Sequence, residues 1–208
     1  MTYKKLIISP HIDDEVLGCG GILDKDTFVI YCGKDERHIT QDWIKKRPTD
    51  DARMSELKSV VDITNHNYTI LDNKVNYYKL QDILESIERI VNEIKPREVY
   101  IPHPSYNQDH RTSYEASLTA LRPHDLNHFV KKVFIYEQPH MLFWDDKDFK
   151  PNYFIPIDIE VKIKLYELMK TQVRKFRSIE HVKAIAKLRG GQSDCNYAEA
   201  YKILRWVD

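Results

Sequence analysis

An α/β chain, Rossmann-like, with a mostly parallel sheet and helices on both faces in a single domain over residues 1–208, is the fold that the sequence predicts. Three observations carry that prediction. Short apolar and β-branched runs alternate with stretches of helical period, the pattern of strand–helix–strand units. One of those stretches, 80–94, is a clear amphipathic helix. The 208 residues, 42% of them hydrophobic, suffice for one sizeable core.

The elements follow in order. Residues 4–9 (KKLIIS) read as a short buried strand and 16–23 as a short helix. The β-branched and aromatic run TFVIYC at 27–32 is a second strand. Residues 35–48 are polar without period and read as a loop. In 50–64, Met54, Leu57, Val60, Val61 and Ile63 recur at helical spacing behind acids that suit a helix start. Residues 68–71 form a brief strand. Leu80, Ile83, Leu84, Ile87, Ile90, Val91 and Ile94 line one helix face, which Pro96 ends. A strand at 98–101 stops at Pro102, and a helix at 109–121 is closed by Pro123. Strands are expected at 130–136 and 154–157, and helices at 160–176 and 180–188. Gly190-Gly191 reads as a flexible turn and 197–206 as a final helix.

Lys+Arg and Asp+Glu number 32 each, so the formal net charge is zero. That argues against a general nucleic-acid or anionic-membrane surface. No apolar run is long enough to span a bilayer, and the N-terminal one is too short for a signal peptide. A cytoplasmic protein is the expectation. Cys19, Cys32 and Cys195 are odd in number and far apart, which fits free thiols rather than a disulfide framework or zinc knuckle. Cys19 reads as a small packed residue.

The chemistry concentrates at two strand ends. His11, Asp13, Asp14 and Glu15 follow the first strand directly. GCGG at 18–21 lacks the spacing of a dinucleotide loop, and clustered acids suit a cation, not a phosphate. His11 and Asp14 can reach one ion from a turn. Asp13 between them can lie beside that ion, where a base that deprotonates water belongs. Glu15 suits the helix start. The bland alternative is a polar loop with an N-cap.

The fourth strand leads into His103, Asp109 and His110. Open α/β sheets bind ligands where strand order reverses, which in the common 3-2-1-4-5 order lies between strands one and four. His110 can then complete a His, Asp, His set, the three ligands with an open position that a catalytic zinc needs. Asp109 could orient an imidazole from behind. His103, between two prolines, reads as a strand-end residue.

The two segments together resemble the PIG-L/LmbE-like zinc-dependent de-N-acetylases. Pro10-His11-Ile12-Asp13-Asp14-Glu15 matches the family's Pro-His-Pro-Asp-Asp-Glu except at Ile12, and Asp109-His110 matches the Asp-His of its second motif. The resemblance implies one LmbE-like deacetylase domain over 1–208. It implies His11, Asp14 and His110 as ligands of Zn2+ (Fe2+ or another divalent metal being admissible) and Asp13 as general base. The family's His three positions before the last ligand is Asn107 here. An amide can support an oxyanion but cannot deliver a proton, so the acid stays open. Arg53 and Glu56 resemble the family's Arg-x-x-Glu, which implies Arg53 as a substrate contact. An exposed i, i+3 ion pair is the alternative. The stretch 189–204 resembles the C-terminal part of members associated with surface-sugar biosynthesis.

The expected reaction is hydrolysis of an N-acetyl amino sugar, free or as a glycoconjugate, to acetate and amine. Tyr106, Tyr136 and Trp144 follow strands four and five and could stack on the sugar, although such aromatics are usually packing residues. No nucleic-acid partner is expected, and a homo-oligomer stays open. The rivals are a metal-dependent hydrolase of another bond, a family member that binds metal and sugar without turnover, and an iron oxygenase.

Overall fold

The computed structural model describes residues 3–33, 50–123, 125–139 and 149–208. The loop expected at 35–48 and Trp144 lie outside them. Along the chain run β1 (Lys5–Ser9), α1 (Asp14–Cys19), a 3-10 turn (Gly20–Ile22), β2 (Thr27–Tyr31), α2 (Asp50–Thr64), β3 (Asn67–Ile70), α3 (Leu80–Ile94), β4 (Glu98–Pro102) and α4 (Gln108–Ala120). After them come β5 (Lys132–Tyr136), β6 (Tyr153–Pro156), α5 (Ile159–Leu168), α6 (Ile179–Gln192) and β7 (Ala198–Trp206). These strands form one sheet in the order β3-β2-β1-β4-β5-β7-β6. The first five pair in parallel, while β7 runs antiparallel to both β5 and β6.

Leu6 and Ile8 of β1 point to one face of the sheet, and Ile7 points to the other. Leu6 and Ile8 join Ile83, Ile87 and Ile90 of α3 and Ala116 of α4. Ile7 joins Val16 of α1, Leu57 of α2, Ile163 of α5 and Val182 of α6. Two cores therefore cover the sheet, and strand order reverses between β1 and β4. The expected crevice opens there.

Three expectations are corrected. Residues 197–206 are not a helix: Ala198–Trp206 is a strand between β5 and β6. Its Ala, Glu and Lys favour a helix locally, but two ladders of pairing outweigh that preference. The helix expected to reach residue 176 ends at Leu168, and the chain turns there toward the site described below. Gly190 and Gly191 lie in the last turn of α6 rather than in a flexible turn. A Cβ on Gly190 would come 2.6 Å from the Asn196 carbonyl oxygen, so the glycine serves a close backbone approach. Gly18 does likewise for α1, where a Cβ would meet the buried Tyr136 ring at 2.3 Å.

Candidate metal and catalytic site

β1 ends at Ser9, and the next turn lifts His11 to the sheet's carboxyl edge. Asp14 opens α1, and its Oδ2 accepts the His11 backbone N–H at 2.9 Å. That contact sets the turn. β4 ends at Pro102, Asn107 caps α4, and His110 sits in the first turn of that helix. Because β1 and β4 are hydrogen-bonded neighbours, the two turns face each other. Asp14 Oδ2 lies 3.3 Å from His11 Nδ1 and 3.2 Å from His110 Nε2. One ligand atom from each residue lies within 4.8 Å of the other two, and among the described residues this is the group so arranged.

Asp14 and His110 are buried, each 2% exposed. Burial alone would raise the Asp14 carboxyl. The adjoining His110 and His11 hold it well below the usual carboxylate range. Burial opposes charge on His11 as well, but hydrogen bonds to the Asp109 and Asp14 carboxylates raise its pKa to about 10. Two carboxylates thus demand positive charge at this point. A divalent cation would supply such charge. Two imidazoles and a carboxylate suit zinc or ferrous iron, so the donor set fits the metal that the sequence motifs imply.

Asp109 Oδ2 lies 3.0 Å from His11 Nε2 and accepts the backbone N–H of Asn76 at 2.7 Å. A carboxylate on Nε2 favours the tautomer whose Nδ1 lone pair faces Asp14 and His110. Among the described residues Asp109 Oδ1 is buried without a hydrogen-bond partner.

Asp13 diverges from its neighbour. It makes no capping bond to α1, contrary to the bland loop-with-cap reading. Its Oδ2 pairs with Arg177 Nη1 at 2.9 Å. Glu15 turns back from the helix start: its Oε2 accepts the Asp13 N–H at 3.0 Å and the Ser9 hydroxyl at 3.2 Å. Burial, with Asp13 adding repulsion, raises the Glu15 pKa to about 8.

Asn107 uses its side-chain Oδ1 to accept the Asp109 N–H at 2.8 Å, which fixes the start of α4. Arg53 is not the exposed residue of an i, i+3 pair. It is 5% exposed, and its Nε and Nη1 are buried without partners among the described residues. Glu56 turns instead to Thr171, accepting its N–H and its hydroxyl at 2.7 Å each. Tyr136 is fully buried and donates to the Ile8 carbonyl at 2.8 Å, so it belongs to the core, whereas Tyr106 is 48% exposed before α4. His103 is buried against Phe149. Cys19, Cys32 and Cys195 are free thiols.

Sequence reasoning missed Arg177, Gln138 and the segment before α3. Gln138 donates to the Asp14 carbonyl at 3.2 Å, and Tyr78 donates to the Pro10 carbonyl at 2.6 Å. Asn76 takes a positive φ of 70°, a conformation asparagine tolerates, and so aims its N–H at Asp109. An asparagine amid a loop was the signal available for it. Arg177 carried none, because nothing local marks which of several basic residues in MKTQVRKFRS turns inward.

Comparison with known proteins bears on the same two turns. The family described as PIG-L, GlcNAc-PI de-N-acetylase, matches residues 6–121, more than half of the chain. No curated protein sequence gives a significant match. Among solved structures, N,N'-diacetylchitobiose deacetylase from Pyrococcus horikoshii is similar with a TM-score of 0.77 at 19% identity, over 97% of this chain and 84% of that one. A triple mutant of a deacetylase from the teicoplanin biosynthetic pathway gives 0.78 at 17%, over 96% and 97%. The 4-carboxy-2-hydroxymuconate hydratase GalB from Pseudomonas putida KT2440 gives 0.75 at 20%, over 100% and 99%. At these identities the likeness is one of fold.

Proposed function

The chain belongs to the PIG-L family of de-N-acetylases, and from that premise we propose that it is a metal-dependent hydrolase that removes the acetyl group from an N-acetylated amino sugar or its glycoconjugate. One observation carries the reading. His11, Asp14 and His110 converge from two adjacent strand ends, with a separate carboxylate, Asp13, beside them.

His11, Asp14 and His110 would hold zinc, which when bound polarises the acyl carbonyl and acidifies a water. With Asp13 Oδ2 engaged by Arg177, Oδ1 is the oxygen left to take the proton of the attacking water. Attack makes the C–O bond. Collapse of the tetrahedral adduct breaks the C–N bond, and the proton held on Asp13 goes to the departing nitrogen. That return route serves a chain in which Asn107 cannot supply a proton. Asn107 Nδ2 donates to the oxyanion while its Oδ1 keeps the helix cap. The unpartnered Nε and Nη1 of Arg53 hydrogen-bond sugar or acyl oxygens. Products are acetate and a free amine.

The sugar class rests on family membership and on the fold shared with a chitobiose deacetylase and with glycopeptide-pathway deacetylases. The hydratase of similar fold keeps water addition to another bond as the rival. The test is amine release by zinc-loaded protein from N-acetylhexosamines that are free, nucleotide-linked and lipid-linked. Release by wild type and not by Asp13→Asn is expected. No release from any of them would remove the deacetylase reading.

A further inference from the structure

We propose that Arg177 is a positioning residue that fixes the carboxylate of Asp13 for proton transfer, an inference that rests on the reading of Asp13 as the base. A base beside a metal needs a defined orientation, and the ion cannot provide it to a carboxylate that is not its ligand. Asp14 is oriented by His11 and His110, whereas Asp13 meets Arg177.

Arg177 is itself held from three directions. It closes a tight turn, donating its N–H to the Arg174 carbonyl at 3.0 Å. Tyr166 of α5, fully buried, donates its hydroxyl to the Arg177 carbonyl at 2.7 Å and lies 3.1 Å from the Gln172 carbonyl. The guanidinium gives Nη2 to Gln172 Oε1 at 2.7 Å while Nη1 takes Asp13. Gln172 donates to Thr171 Oγ1 at 2.8 Å, and Thr171 is held in turn by Glu56 of α2. A planar fork anchored at one nitrogen can only present the other in one direction. The path from α2 through Thr171 and Gln172 to Arg177 therefore ends in a fixed donor on Asp13. Among the described residues Arg177 Nε is buried without a partner.

This also accounts for the early end of α5. A helix continued past Leu168 would carry Gln172 and Arg177 along its axis and away from the crevice.

The test compares wild type, Arg177→Lys and Arg177→Ala in amine release, with metal content measured on each. Arg177→Ala is expected to lose about 10- to 100-fold in kcat, the range for residues that orient a metal site from behind, with KM changed by less than about twofold. Arg177→Lys, which keeps charge but not the fork, falls between. Guanidinium chloride at low concentration, against sodium chloride of equal ionic strength, should restore part of kcat in Arg177→Ala and none in Asp13→Asn. In crystals of the alanine variant the Asp13 carboxylate should leave the rotamer it holds in wild type. An unchanged kcat, or an Asp13 that keeps its rotamer without Arg177, would overturn the proposal. If Arg177→Ala does not fold, the lysine variant decides by the same rotamer and kcat. A wild type that releases no amine would count against the proposed function alone, since the rotamer comparison still decides the positioning role.

Discussion

Buried charge is handled in two ways in this molecule. Around β7, buried charges are matched. Lys162 Nζ lies 2.5 Å from Glu199 Oε1 and donates to the Leu17 carbonyl at 2.8 Å. Glu199 also takes the Gly21 N–H at 2.8 Å and the Tyr201 hydroxyl at 2.7 Å. Arg189 forks onto both oxygens of Glu137. At the crevice between β1 and β4 the accounting stays open. Asp109 Oδ1 and Arg177 Nε are buried without partners among the described residues. An unpaired buried donor or acceptor costs free energy that a native structure rarely tolerates without cause. The closed networks tie α1 and α5 to β7, and α6 to the end of β5.

That contrast can be broken at several points. Asp13→Asn at the crevice should lower kcat by about 10²- to 10⁴-fold, the usual worth of a general base, while bound metal stays equimolar; amine release with metal analysis reads both. Parallel loss of metal would mean that Asp13 is a ligand and that the two adjacent aspartates do not differ in kind. At the matched pair of β7, Glu199→Gln should cost about 3–5 kcal/mol in urea unfolding, because it strands Lys162, with kcat of the folded fraction nearly unchanged. Lys162→Met with Glu199→Leu should recover much of that loss. A double variant as unstable as the single one would show that the pair is more than a staple.

His66 sharpens the contrast with a third device, a buried base kept neutral. It lies 2.7 Å from Thr64 Oγ1 and 3.4 Å from the Tyr31 hydroxyl, and burial pushes its pKa down to about 4. The unfolded chain, with histidine near 6.5, binds more protons than the folded one between those values. Stability therefore falls as pH drops from about 6.5 to about 4, by on the order of 2–3 kcal/mol at full effect. His66→Gln should flatten urea midpoints over that window, and an unchanged slope would assign the acid sensitivity elsewhere. The smallest effect is expected from Asp158→Ala. It removes the cap that accepts the Glu160 N–H at 2.9 Å and should cost about 1 kcal/mol without touching kcat.

Much of the site was legible because its parts are local. His11 and Asp14 are three residues apart, and one turn brings them together whatever the rest of the chain does. The alternation of strands and helices sufficed for the β3-β2-β1-β4-β5 portion of the sheet, and so for the meeting of His110 with the first turn. The burial of Arg53 was not legible, because Glu56 finds its partner 115 positions away in Thr171.

The sequence by itself determined the helices at 50–64 and 80–94, the parallel core of the sheet and the two turns that bring His11, Asp14 and His110 together. Those depend on spacing, which is written along the chain. Tertiary structure alone decided that 198–206 is a strand, since its small and charged residues prefer a helix until β5 and β6 offer hydrogen bonds on both sides. It alone decided, too, that Arg177 and not its basic neighbours reaches Asp13. That choice is made by Tyr166, Gln172 and Glu56, which are brought to one point by the packing of α2 and α5 on the sheet.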